Sequence, residues 1–282
     1  MYIGTIIKII SNQYTIDSDL GQVVAIPRGK LRLNISPCVG DTVEFEQIED
    51  SYRISKVLER KNKLLRPTVA NVDQALVVTS LKDPDYSDHL LNRLIFLICL
   101  SNIKPAIVVT KMDLVEDKEV FIQEFEKYKK AGYEVFYSYP GYNDEQLSNL
   151  LSNHISVLCG QSGAGKSSLL NRLDPTFELK TQEISKALGR GKHTTRHCEL
   201  HRIGNGWVAD TPGFSSLDFT RLDTDHLDQV ILDFQPYLNQ CRFNDCIHVN
   251  EPDCMIKKAV EEGKINPSIY EDYKQIKLIK RK

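Results

Sequence analysis

Over the first sixty or so positions, short β-prone runs at 4–10, 13–16, 22–26, 41–47 and 52–57, some alternating apolar and polar with a period of two, are separated by Asn, Asp and Gly. That period belongs to half-buried strands, and the intervening turn residues close each run. Five such strands predict a small barrel of the OB type, a fold whose face commonly binds oligonucleotides. Further on, the apolar runs 106–109, 155–158 and 207–209 read as strands of a central α/β region. The most apolar run, Leu94 to Leu100, is far too short to span a bilayer and predicts a buried helix. A helical stretch at 225–232 follows, and Ile269, Tyr273, Ile276 and Ile279 recur at helical spacing in the tail. Together they predict a helical C-terminal region.

The ends of the three central strands carry the chemistry. The run 155–158 leads into Gly160-Gln161-Ser162-Gly163-Ala164-Gly165-Lys166-Ser167, with Ser168 opening a helix-forming stretch to Leu173. This is Gly-x-x-x-x-Gly-Lys-Ser in its required strand–loop–helix setting, a phosphate-binding loop. Glycines let backbone N–H groups converge on phosphates, and the helix N-terminus adds a favourable dipole. Lys166 is expected to reach the β- and γ-phosphates and the Ser167 hydroxyl to ligate magnesium.

The run 106–109 is followed by Thr110-Lys111-Met112-Asp113. A carboxylate at Asp113 can accept two hydrogen bonds from a guanine edge, which adenine cannot offer, and the Lys111 stem can lie along the base. Thr110 stands where such motifs usually carry Asn, and an N-cap for the following segment is the other reading of Asp113. The run 207–209 leads into Asp210-Thr211-Pro212-Gly213. There Asp210 would hold magnesium and the Gly213 N–H would meet the γ-phosphate; a plain β-turn is the alternative. Between them, residues 189–195 form a glycine-rich polar stretch in which Thr194 or Thr195 could complete the magnesium shell. Phe214 occupies the position where many GTPases place a water-orienting Gln. His193 is therefore the candidate catalytic residue, since an imidazole can orient or deprotonate water near neutral pH. A solvent-exposed loop residue or an RNA contact is the other reading of His193.

The order of these motifs is unusual. The base-reading motif precedes the phosphate loop by about fifty residues, whereas in ordinary GTPases it comes last. A circularly permuted GTPase core is predicted.

Thr-Lys-x-Asp, Gly-Gln-Ser-Gly-x-Gly-Lys-Ser-Ser-Leu, Gly-Arg-Gly-Lys-His-Thr-Thr and Asp-Thr-Pro-Gly-Phe, in that order, resemble the circularly permuted, small-ribosomal-subunit-dependent GTPases of bacteria, the RsgA family. The linker 66–74 is similar to that family's entry into its GTPase domain. The resemblance implies GTP hydrolysis stimulated by the small ribosomal subunit, a role in late subunit maturation, an N-terminal OB domain and a C-terminal zinc site. The rival from another class is an RNA-binding scaffold in which GTP is structural and hydrolysis vestigial. A phosphate-loop ATPase would require Asp113 to play no part in reading the base.

Composition narrows the partners. Net charge is −2 over 282 residues, so this is no generic polycation, and contacts to rRNA must come from local patches. Candidates are Arg28, Lys30 and Arg32, then Arg53, Lys56, Arg60, Lys61, Lys63 and Arg66; the basic end 277–282 is either another contact or a plain helix terminus. No signal peptide is read at Met1-Tyr2-Ile3-Gly4, and a cytoplasmic monomer with no membrane contact is expected. Cys241, Cys246, His248 and Cys254 place three thiols and an imidazole within fourteen residues. That donor set suits one tetrahedral structural zinc with no open position; disulfides are the rival, disfavoured where thiols stay reduced. Cys99 and Cys159 read as small core residues. The expected architecture is a multidomain α/β chain: an OB-like barrel (1–66), a permuted GTPase domain (67–220) and a helical zinc-binding domain (221–282).

Overall fold

The computed structural model describes residues 1–29, 36–65, 68–177, 199–209, 219 and 222–279. The predicted alternation builds five strands: β1 (Tyr2–Ile10), β2 (Gln13–Ser18), β3 (Gly21–Pro27), β4 (Thr42–Ile48) and β5 (Ser51–Val57). They close a barrel in the order β1-β2-β3-β5-β4, with β3 and β5 parallel and β1 closing antiparallel on β4. Ile6, Ile16, Val43, Phe45 and Ile54 fill its interior without exposure, while Glu44 and Glu46 take the other face of β4. Each such side chain contributes roughly 1.5–3 kcal/mol by leaving water.

Asp41, fully buried, fastens the loop before β4. Its Oδ1 accepts from Arg60 Nε at 2.6 Å, and its Oδ2 accepts from Arg60 Nη2 at 2.8 Å and from the Cys38 N–H at 2.7 Å. Burial, with the Asp41 charge adding to it, pushes the Cys38 thiol up to about 12. Asp41→Ala removes one member of a bidentate, largely buried pair and is expected to lower stability by about 3 kcal/mol. Denaturant titration of variant and native protein measures this; a loss under about 1 kcal/mol would rank the pair with ordinary surface ion pairs. Of the basic residues expected to meet RNA, Arg28 pairs with Glu46, Arg60 with Asp41 and Lys61 with Asp73. Lys56 stands exposed on β5, and Lys30, Arg32 and Arg66 lie outside the described residues.

A small hairpin of β6 (Lys63–Leu65) and β7 (Thr68–Ala70) follows the barrel. Then β8 (Gln74–Ser80), β9 (Lys104–Thr110), β10 (Glu134–Ser138), β11 (Ile155–Cys159), β12 (Leu200–Ile203) and β13 (Gly206–Ala209) make one sheet in the order β10-β9-β8-β11-β13-β12. β9 and β10 run parallel, as do β11 and β13, and β12 is antiparallel to β13. β8 and β9 are buried along nearly their whole length, which is why their sequences are continuous apolar runs rather than alternating ones.

Among the described residues the α-helices are α1 (Asp88–Leu100), α2 (Lys118–Ala131), α3 (Glu145–Leu151), α4 (Lys166–Leu173), α5 (Leu227–Val230), α6 (Met255–Glu261) and α7 (Pro267–Lys277). The apolar run at 94–100 predicts only the second half of α1. The helix starts six residues earlier, with the Ser87 side chain accepting the Leu90 N–H as its N-cap. The stretch expected to be helical over 225–232 shortens to the single turn α5, and α7 ends at Lys277, leaving Ile279 37% exposed. The Lys277 ammonium donates to the carbonyls of Thr224 and Asp225, tying down the chain that leads into α5. Two compact units result, one of Met1–Ala75, Asn143–Leu158 and Lys166–Phe214, the other of Leu76–Tyr142, Cys159–Gly165 and Ser215–Lys282. No helix among the described residues is long and apolar enough to cross a membrane.

Candidate functional site

β11 ends at Cys159, and the chain turns through residues 160–165 into α4, which buries Leu169 and Leu170. Gly160 has φ +140°, and a Cβ there would stand 2.1 Å from the Val78 carbonyl oxygen. Only glycine lets the turn pass so close to β8. Gly165 at φ +89° has the same left-handed requirement as the chain enters the helix. Gln161, Ser162 and Gly163 are exposed, Ala164 is buried, Gly165 and Lys166 are half-buried, and Ser167 and Ser168 are exposed.

Thr110, at the end of β9, is 2% exposed. Its hydroxyl lies 2.7 Å from the Ala164 carbonyl and 3.2 Å from that of Thr79. With one proton to give, it donates to the nearer acceptor, so the turn 110–113 is fastened directly to the loop 160–165. The substitution of Thr for Asn at this position thus keeps a donor to the loop backbone. Lys111 follows with φ 60° and donates its ammonium to the Asp83 carbonyl. Asp113 lies exposed in a 3₁₀ turn, Met112–Leu114. It does not cap α2: that helix begins at Lys118, and Asp117 accepts the Val120 N–H there. The N-cap reading of Asp113 is set aside on that geometry.

Sequence reasoning did not find the loop between β8 and α1. Ser80 Oγ donates to the Pro84 carbonyl at 2.6 Å, and a Cβ on Gly163 would meet Pro84 Cδ at 3.4 Å. This loop walls one side of the phosphate loop, and its sequence, 81–87, carries no motif. Beside β10, Tyr139 and Tyr142 have ring centroids 4.9 Å apart with the Lys118 ammonium 5.1 Å from the Tyr139 ring. His193, Thr194, Thr195, Asp210, Gly213 and Phe214 lie outside the described residues.

The second cluster lies in the C-terminal region. Cys241, Cys246, His248 and Cys254 bring their ligand atoms within 4.8 Å of one another. His248 Nδ1 is 3.3 Å from the sulfur of Cys246, 3.4 Å from that of Cys254 and 3.5 Å from that of Cys241, and the Cys241 and Cys254 sulfurs are 3.9 Å apart. Tetrahedral zinc with Zn–S near 2.3 Å and Zn–N near 2.0 Å requires about 3.8 Å between sulfurs and about 3.5 Å from sulfur to nitrogen. The donor set and spacing therefore fit zinc, and the sulfur separation is far too long for a disulfide. Burial pushes the Cys246 thiol up, with the neighbouring thiols adding to it. Burial also holds His248 below its ordinary value despite Asp228 and Glu251 nearby, leaving the neutral imidazole that ligates metal.

Two supports hold this cluster, one from distant sequence and one from within the loop. His248 Nε2 faces Asp228 Oδ2 at 3.9 Å, and Asp228 in turn faces Lys277 at 3.5 Å. Glu251 accepts the N–H groups of Ile247, Val249 and Asn250, drawing the loop tight. Of the other cysteines, Cys159 is buried and Cys99 half-buried, as the core reading expects, and Cys198 lies outside the described residues.

Known proteins share this arrangement over the whole chain. The RsgA GTPase family model matches residues 57–220, and the RsgA N-terminal domain model matches residues 3–52. The small ribosomal subunit biogenesis GTPase RsgA of Bacillus cereus is 45% identical over 279 residues, covering 96% of this chain and 95% of that protein. RsgA 2 of Oceanobacillus iheyensis is 45% identical over 276 residues, covering 96% and 94%. Among solved structures, YjeQ from Thermotoga maritima superposes with a TM-score of 0.86 at 34% identity, covering 100% of this chain and 99% of that one. YloQ, a circularly permuted GTPase, gives 0.83 at 35%, covering 100% and 97%. With a closed five-stranded barrel, a turn at 110–113 that precedes the glycine-rich loop it is bonded to, and a Cys₃His cluster near the C-terminus, this chain belongs to the RsgA family of circularly permuted GTPases.

Proposed function

We propose that the chain binds GTP with magnesium, hydrolyses it to GDP and phosphate, and does so on the small ribosomal subunit during late maturation, as a cytoplasmic monomer in contact with rRNA. The observation that carries this reading is the Thr110 hydroxyl on the Ala164 carbonyl, which joins the element suited to guanine to the element suited to phosphate. The names of the relatives support the subunit as partner. The family supports turnover over the scaffold reading, in which hydrolysis is vestigial.

The backbone of residues 160–165 cradles the phosphates, Lys166 neutralises charge on the β- and γ-phosphates, and the Ser167 hydroxyl is a magnesium ligand, with Ser168 beside it at the helix start. Asp113 accepts the two guanine N–H groups while the Lys111 stem, held by Asp83, covers the base. Thr194 or Thr195 and Asp210 complete the magnesium shell, and the Gly213 N–H meets the γ-phosphate. Magnesium supplies positive charge against the developing negative charge of phosphoryl transfer. His193 orients the attacking water, since Phe214 cannot. Zinc holds the C-terminal region through Cys241, Cys246, His248 and Cys254 and takes no part in the chemistry. The domain limits that go with these roles are 1–66, 67–220 and 221–282.

Turnover measured alone, with isolated small subunits and with large subunits tests the reading. The isolated protein should be slow, on the order of 10⁻² s⁻¹ or below, and only small subunits should accelerate it. Equal stimulation by both subunits, or none, removes the ribosomal part. In the same assay His193→Ala should lose about a hundredfold of the stimulated rate, the scale of one general base, with GTP affinity nearly unchanged. Full stimulated activity in that variant would assign the water to another residue.

A further inference from the structure

α1 and α7 meet through one fully buried carboxylate that neither candidate site uses. Asp272 of α7 has no exposed surface. Its Oδ1 accepts from Arg93 Nε at 2.9 Å; its Oδ2 accepts from Asn92 Nδ2 at 3.0 Å and lies 2.9 Å from His89 Nδ1. His89, Asn92 and Arg93 are spaced i, i+3 and i+4, so they stand on one face of α1. Asn92 is held in turn by the Tyr128 hydroxyl of α2 at 2.8 Å and reaches Ser268 Oγ at 3.3 Å.

A buried ionic contact is a weak source of net stability, because desolvation offsets most of the attraction. What three directional donors on one carboxylate do supply is a single rotation and register of α7 on α1. An apolar contact of the same area would let the helices slide.

Each helix leads to one of the two sites. At its N-terminal end α1 is entered through the loop 81–87, whose Pro84 abuts Gly163 and whose Asp83 carbonyl holds the Lys111 ammonium. From α7 the Tyr270 hydroxyl donates to the His248 carbonyl at 2.9 Å and the Tyr273 hydroxyl to the Ile247 carbonyl at 2.7 Å, so two of its side chains grip the metal-site loop. The route phosphate loop, residues 81–87, α1, Asp272, α7, residues 247–248 is continuous, and every link is a contact within one compact unit.

We infer that Asp272 is a positioning residue that links the two sites energetically: guanine nucleotide on the phosphate loop tightens the metal site, and metal in turn tightens nucleotide. Ordering either end through a fixed strut lowers the ordering cost at the other, and linkage requires the two effects on affinity to be equal. The inference rests on the nucleotide and zinc assignments proposed above, and the test separates its failure from theirs.

The experiment uses the full chain, with zinc content fixed by elemental analysis. Zinc affinity is measured by competition with a chromogenic chelator, with and without saturating GDP; GDP affinity is measured with and without zinc. In the native protein both ratios should be the same and at least about fivefold, the low end of common allosteric couplings. In Asp272→Asn both should fall toward one, while the affinity for zinc alone and for GDP alone stays near native. Should Asp272→Asn fail to fold, as judged by its thermal melt, Arg93→Gln at the half-exposed end of the contact carries the same expectation with partial loss. A native ratio of one with both ligands bound overturns the inference and leaves the functional reading intact. A native-sized ratio in both variants also overturns it, placing the coupling elsewhere. Absence of stoichiometric zinc or of GDP binding overturns reading and inference together.

Discussion

Cys246→Ser protein is expected to lose its zinc and, with it, the order of the loop 241–254, loosening the C-terminal region while guanine nucleotide still binds. The loop that carries the cluster has little apolar burial of its own: Phe243 and Ile247 are 39% and 43% exposed, the buried side chains there are the prospective ligands His248 and Cys254 themselves, and Tyr270, Tyr273 and Glu251 bond only its backbone. Where an apolar core is missing, metal binding is the folding energy, on the order of 10–16 kcal/mol for structural zinc of this type. Removing one of its four ligands takes away a large part of that. His248→Ala should act alike, and a strong chelator should reproduce both in the native chain. The measurements are zinc stoichiometry, protease sensitivity of residues beyond 222, and GDP titration. Native protein purified without stoichiometric zinc would show that the cluster is not a zinc site.

The second large effect concerns the base. Asp113→Asn is expected to weaken GTP binding by roughly 100- to 10,000-fold, since two hydrogen bonds to a charged acceptor are worth roughly 1.5–3 kcal/mol each. The amide that replaces the carboxylate offers one donor and one acceptor, which complements xanthine better than guanine, so XTP should gain on GTP. Because Asp113 is exposed and caps no helix, the variant should fold as the native protein does, and the change will report recognition rather than stability. Competition of GTP, XTP and ATP against a fluorescent nucleotide measures it. Retained preference for GTP would mean that the base is read by other groups.

How much of this could be read in the sequence depended on whether a residue's partner was near or far. The barrel strands were legible because Val43 and Phe45 alternate with Glu44 and Glu46, and each pair of runs is split by turn residues. The Cys₃His set was legible because its spacing along the chain is the spacing of the chemistry, and the turn 110–113 meets the glycine-rich loop 160–165 through Thr110. Half of α1 was hidden because His89, Asn92 and Arg93 look like a solvent face, whereas Asp272 of α7 covers them. Nothing local announces that Lys277 will hold the carbonyls of Thr224 and Asp225 ahead of α5. Asp228 behind His248 and Pro84 against Gly163 belong to the same class: each is supplied from outside the motif it serves.

The Asp272 contact also has a consequence for how the chain is made. Its donors on α1 precede it by 179 to 183 residues, among the longest loops a fold of this size must close, and long closures form late. During synthesis, α1, the base-reading turn and the phosphate loop are all complete before Asp272 leaves the ribosome. Until then α1 carries Arg93 and Asn92 without the carboxylate they share. A chain stalled short of α7 can hold every residue of the phosphate loop and still lack the contact that fixes α1 beside it.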